Sequence, residues 1–171
     1  MIIRLTQKLC DKIDGGPLNV LPLDENPFAD WSASLFTADR TQYILVSNTK
    51  SLYSTAFYGR GITDSNWFIK QFMSTIQEFM EADGQEFVYR RFVAPASGTI
   101  TFAKALNRSV TGSMNELTRF AQAFLLDCDI SPFDVGFKVN DMLISSIAPS
   151  KTAKYGTPKE AFKTMLSGSK Q

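Results

Sequence analysis

Histidine is absent from this 171-residue chain, and that gap removes more chemistry than any other feature of the composition. Ser-His and Cys-His nucleophilic pairs, imidazole general bases and histidine-ligated metal motifs are all excluded. An enzyme built on these residues would work with carboxylates, Lys, Tyr, Cys or a bound cofactor. Cysteine is scarce as well. Cys10 and Cys128 stand far apart, with no CxxC spacing and no disulfide framework, which reads as two incidental thiols in a reducing cytoplasm. No stretch approaches the roughly 18 uninterrupted apolar residues of a membrane helix, and the apolar run in MIIRLTQKLCDKI is too short for a signal sequence. The expectation is a soluble cytoplasmic protein with no membrane partner. Charge of either sign is not in excess: 18 Lys and Arg face 17 Asp and Glu, for a net of +1. No long-range field therefore recruits nucleic acid, although a local basic patch remains open. Walker-type and dinucleotide glycine spacings, internal repeats and low-complexity segments are missing too.

What is present is a hydrophobic content of 44%, enough for one packed core at this length. A single domain over residues 1–166 with a flexible C-terminal tail at 167–171 is expected. The stretch that organises it is residues 99–126, TITFAKALNRSVTGSMNELTRFAQAFLL. It opens with the β-branched and aromatic character of a strand, breaks at Asn107-Arg108-Ser109, and continues as an amphipathic helix. Val110, Met114, Leu117, Ala121, Phe124 and Leu125 recur at steps of three and four, the period of one buried helical face. Ser109 is one candidate N-cap. Ser113, with Glu116 three positions on, is another, and the pattern alone does not separate them.

A strand running straight into a helix N-terminus exposes orphan N–H groups. Here Lys104, Asn107, Arg108, Ser109 and Ser113 crowd around it. This corner has the chemistry of an anion or partner contact; it also has the chemistry of an ordinary cap. Arg60, in the Gly59-Arg60-Gly61 turn, is a second place where backbone could approach a ligand closely, and the six residues together form the candidate binding set. No residue is singled out as catalytic or metal-ligating, and no cofactor is expected.

Several blocks of the chain carry a family resemblance. IIRLTQKL, DWSASLFTADRTQYILVSNTKSLYS, NRSVTGSMNEL and VNDMLISSI with YGTPKEAFKTML resemble a family of small bacterial proteins of unknown function. The likeness runs nearly end to end, and NRSVTGSMN is its most specific part. It implies a stand-alone intracellular domain and carries no activity with it. PSKTAK before Tyr155 departs from the tighter form the resemblance implies there.

In chain order, residues 2–5 read as a strand and 7–13 as a helix capped by Thr6. Residues 18–30 form a Pro- and Asp-bearing loop whose Asp24, Glu25 and Asp30 lack the regular spacing of a hard-cation site. Residues 31–38, 42–48 and 52–58 form a three-stranded meander, its third strand at an edge. Thr63 or Asp64 caps a helix with Phe68, Phe72, Ile76, Phe79 and Met80 on its core face, closed by Gly84. Residues 86–94, EFVYRRFVA, read as a strand, which would send Arg90 and Arg91 to opposite faces. Residues 133–140 read as an edge strand, 142–147 as one helical turn, 149–155 as a linker, and Pro158 starts a final helix after Thr157.

The fold class that follows is α+β, a mostly antiparallel sheet with three to four helices packed on it. The function that follows first is a non-catalytic interaction module that binds a protein partner or self-assembles. A nucleic-acid or nucleotide-phosphate binding domain is the alternative, with Arg60, Arg90, Arg91, Lys104 and Arg108 as phosphate contacts. A histidine-independent enzyme using Tyr58, Arg60 and Arg108 with a carboxylate is the third reading.

Overall fold

The structure, a computed structural model, describes residues 1–168. A five-stranded sheet in the order β4-β3-β2-β1-β5 forms its centre: β1 Ile2–Leu5, β2 Asp30–Ala38, β3 Thr41–Asn48, β4 Ser54–Tyr58 and β5 Thr101–Ala103. The α+β class holds, with a mixed sheet rather than a mostly antiparallel one. β2, β3 and β4 form the expected antiparallel meander, while β1 pairs parallel with both β2 and β5. Parallel pairing requires long crossovers. Here they are the segment with α1 (Gln7–Lys12) and the segment with α2 (Ser65–Ala82) and α3 (Glu86–Val88).

Alternation along the strands sends side chains to two faces. Ile3, Leu5, Trp31, Ala33, Ile44, Val46 and Phe57 face one side, where they meet α1, the Phe68-Phe72-Ile76-Phe79-Met80 stripe of α2, and Phe162 of α6 (Pro158–Gly168). Phe36, Tyr43, Leu45 and Ala56 face the other, under Met114, Leu117 and Ala121 of α4 (Arg108–Asp127) and Val135 and Val139 of α5 (Pro132–Val139). The predicted helical stripe of residues 110–125 is thus real, with its middle three positions buried and Val110, Phe124 and Leu125 half-buried at its ends. Burying a Leu such as Leu117 contributes about 1.5–3 kcal/mol.

Two segments differ from the strands expected of them. Residues 86–94 are helical: α3 passes into a wide π-type turn at Tyr89–Val93 and then a 3-10 turn at Ala94–Gly98. Its inward side buries Val88, Tyr89 and Val93, the i, i+1, i+5 spacing of a wide turn rather than a strand. Residues 132–139 form α5, started by Ser131, whose hydroxyl accepts from the Asp134 amide, with Pro132 in the first turn. The helices exceed the three to four expected, because these two join α1, α2, α4 and α6.

α5 lies along the sheet edge at β4. The Asn140 side chain accepts from the Ser54 amide at 2.7 Å and donates to the Ser54 carbonyl at 2.9 Å. Gly136 permits the approach: a Cβ there would meet the Phe79 ring at 2.5 Å and the Ser54 carbonyl oxygen at 2.9 Å. The opposite edge, β5, is three residues long and bridged at Ala103 by Asn19.

Arg4 and Asp30 bind the centre of the sheet to the loop of residues 18–30. Arg4 donates from Nε and Nη2 to the two Asp30 oxygens, each at 2.8 Å. Its remaining N–H groups go to the carbonyls of Leu21, Pro22 and Lys104. All five guanidinium donors are used. Buried charges persist when satisfied in this way, and Asp30 is accounted for as a structural ion rather than a cation ligand. α6 continues through Ser167 and Gly168, the first two positions of the expected tail; the rest of that tail, residues 169–171, lies outside the described residues.

Candidate functional site

At the α4 corner the cap is Asn107, whose Oδ1 accepts from the Val110 amide at 2.9 Å. Neither Ser109 nor Ser113 caps the helix. Asn107 has the extended backbone of an N-cap, φ −164° and ψ 175°, and its short carboxamide reaches the third helical amide as a serine would. Arg108 and Ser109 stand exposed in the first turn, and neither side chain has a partner among the described residues. Lys104 offers its backbone to Arg4 and Asn19, with its ammonium in solvent. Ser113 is buried, and its hydroxyl lies 2.7 Å from that of Ser146.

Arg60 does not join this group. The amide of Gly59 bonds to Gln42, which pairs with Thr37, and Gln122 of α4 donates to the Thr37 carbonyl. Arg60 therefore sits at the end of the sheet reached by Gln122, fourteen residues or about 21 Å along α4 from Arg108. Arg90 and Arg91 follow each other on a helical turn instead of alternating across a strand. Arg90 pairs with Glu86 at 2.6 Å on the surface, and Arg91 lies 6.0 Å from the Phe92 ring.

A cleft of about 470 Å³ opens between the Lys50 loop, residues 146–149 and α6, within the size range of sites for small ligands and side chains. One wall is Pro27 and Lys50. A second is the strap of residues 146–149 with Gly156, and the third is α6, through Thr157, Glu160, Ala161, Thr164 and Met165. Most of this lining is apolar or backbone. The strap is fastened by the Ser113–Ser146 contact on one side and by the paired backbones of Ile144 and Gly156 on the other. Thr157, as expected, caps α6 by accepting from the Glu160 amide at 3.3 Å.

The first wall is rigid. The loop from Asn48 to Tyr53 closes with Asn48 donating to the Pro27 and Asp30 carbonyls and accepting from the Ser51 amide and hydroxyl. Thr49 bonds to Ser32 at 2.8 Å, and Leu52 is held with φ +63°, a conformation that a buried leucine keeps only when its surroundings fix it. Thr49, Ser51 and Leu52 are buried, and Lys50 alone of that turn is exposed. Its ammonium has no partner among the described residues, while Glu160 on α6 lies 3.5 Å from Lys163.

None of the candidate set lines this cleft; Ser113 touches only a lining residue, Ser146. Pro27, Lys50 and the α6 residues carried no sequence signal for a site. Each lies on a different segment, and only the fold places them together.

The chain over residues 2–161 matches the family model described as Domain of unknown function (DUF6933). The chain belongs to that family. The DUF6933 match runs from β1 to the first turn of α6 and includes both the α4 corner and the strap. No curated protein matches the chain.

Among the described residues of the DUF6933 chain, four groups have shifted acidity, and all four move away from reactivity. Burial pushes up the Cys10 thiol and the Tyr43, Tyr53 and Tyr89 phenols, helped by Asp11 at Cys10, by Tyr58 at Tyr43, by the Asp83 hydrogen bond at Tyr53 and by Glu81 at Tyr89. None of the four lines the cleft. Among the described residues no group of three Cys, Asp or Glu is placed to hold a metal ion, and no helix is long and apolar enough to cross a membrane.

Proposed function

We propose that this protein is a non-catalytic interaction module of the cytoplasm, a single domain closed by α6, that binds a protein partner in the cleft between the Lys50 loop, the strap and α6. One observation carries this reading: a cleft of about 470 Å³ is mostly apolar and backbone-lined, framed by a loop whose only exposed residue is a lysine without a partner among the described residues. Reactive sites place acids, bases or nucleophiles with shifted acidity in such a cleft. Binding sites need shape, an apolar floor and a few fixed polar groups. Two routes to partnership are less favoured, because β4 is covered by α5 and β5 is too short to template an added strand.

The test is a pull-down from native lysate, with wild type and a Thr164→Trp variant as parallel baits and light scattering to register self-association. Thr164 is exposed on α6, so the indole fills the cleft without entering the core. Partner or second copy should be held by the wild type and lost by the variant. Equal retention by both, or by neither, overturns the reading.

A second reading has one observation behind it: Lys104 and Arg108 are exposed near the start of α4 with no side-chain partner among the described residues. If that corner holds nucleic-acid phosphate, binding of labelled single strands weakens steeply with salt and Arg108→Ala lowers affinity for every sequence alike. Arg60 lies too far away to share the contact.

A further inference from the structure

We infer that the segment taken by the cleft is a short acidic and apolar peptide of the partner, its carboxylate seated on Lys50 and its apolar side chain on the Ala161–Met165 face of α6. This rests on the cleft being the binding site, and it names the partner's chemistry.

The charges of the lining decide the sign. Among the described residues, Lys50 and Glu160 are the ionisable side chains of its lining. Glu160 lies on the helix wall within 3.5 Å of Lys163, so the cation of that side of the cleft is already turned to it. Lys50 stands in another wall, with no partner among the described residues. The unmatched charge of the cleft is therefore positive, and a carboxylate is the group that complements it.

The backbone that carries this lysine is preorganised, so only its side chain has to be ordered on binding. A flexible lysine loses side-chain freedom on binding and contributes little. At Lys50 the backbone on both sides is already fixed, by Asn48, by Ser32 against Thr49, and by the buried Leu52. Pro27, next to it in the wall, has its carbonyl held by Asn48 at 2.7 Å. The remaining lining supplies the apolar half of the match: Ile147, Ala148, Pro149, Ala161 and Met165. At about 470 Å³ the cleft accommodates two or three side chains, which is a short linear segment rather than a domain surface.

The experiment selects peptides from a random heptamer library displayed on phage against immobilised full-length protein in three forms, wild type, Lys50→Glu and Thr164→Trp, each first shown by circular dichroism to melt as a folded protein. Wild type should enrich peptides with an acidic residue next to a large apolar one, and Lys50→Glu should enrich a basic residue at that place. A resynthesised winner should lose at least tenfold in affinity for the wild type when its acid becomes the neutral amide, and little for Lys50→Glu. Peptides that depend on an open cleft, being lost with Thr164→Trp, but carry no acidic position overturn this inference and leave the cleft as a binding site. If no enriched peptide depends on the open cleft, the inference and the functional reading fall together.

Discussion

Asn140 treats Ser54 as a neighbouring strand would, accepting from its amide and donating to its carbonyl, so that one side chain closes the outer edge of the sheet at the start of β4. An uncovered strand edge is a template for pairing with other chains. Asn140→Leu removes both bonds and leaves two buried backbone groups unsatisfied, at a cost of about 2–4 kcal/mol. Urea unfolding should show the loss, and light scattering at raised concentration should show more association than in the wild type.

Gly136 is the second half of that closure. Gly136→Ala drives a methyl into the Phe79 ring and the Ser54 carbonyl, and overpacking of this kind costs about 1–3 kcal/mol. Because α5 has to lift away to accept it, the Asn140 contact should be lost as well. Combined with Asn140→Leu, the change should therefore cost clearly less than the sum of the two alone.

At the centre of the sheet, Asp30→Asn leaves Arg4 buried with its charge uncompensated. Breaking one partner of such a pair costs about 3–5 kcal/mol, a large part of the stability of a chain this size. Thermal melting should fall accordingly. Replacing both residues with apolar ones of similar volume should recover much of the loss, which a double-mutant cycle would show.

The α4 corner separates two cap assignments. Asn107→Ala should cost about 0.5–2 kcal/mol, the range for a lost N-cap. Ser109→Ala should change stability by less than about 0.5 kcal/mol, as expected of an exposed side chain with no partner among the described residues. Chemical denaturation of the two variants decides it.

Alkaline pH should weaken the fold. Cys10, Tyr43, Tyr53 and Tyr89 are all raised above their ordinary values of 9.0 and 10.0. Above about pH 9 the unfolded chain gives up these protons first, the folded chain holds more, and stability declines as pH rises; below about pH 8 these groups contribute no slope. Tyr53→Phe should be less stable near neutrality, having lost the 2.7 Å bond to Asp83, yet show a shallower alkaline decline. Urea unfolding at pH 8, 9 and 10 measures both effects.

Where the signal was local, the sequence could be read. The β2–β4 meander follows from alternation and turn residues, and α2 from its aromatic stripe and Asp64 cap. Residues 133–140 carry a strand-like alternation beside the Ser131-Pro132 start signal, and the helix Pro132–Val139 is short enough for both patterns to fit. Residues 86–94 failed for a related reason: a π-type turn has neither the helical nor the strand period. The parallel pairing of β1 with β2 and β5 is set by tertiary contact. Arg108 was visible as an exposed cation near a turn. Lys50 was not visible as a site, since its setting depends on Asn48 reaching Pro27 and on α6 arriving from the far end of the chain.

The position of β1 has a consequence for the order of assembly. Its Ile3 lies between Trp31 and Phe102, so β1, made well before β5, waits for that strand before its second side is paired. The β2–β4 hairpins close through neighbouring residues and can form early, whereas insertion of β1 beside β5 spans nearly a hundred positions and carries a large loop-closure cost. Substitutions along β1 should therefore slow refolding less than they speed unfolding, while those in the meander should do the reverse.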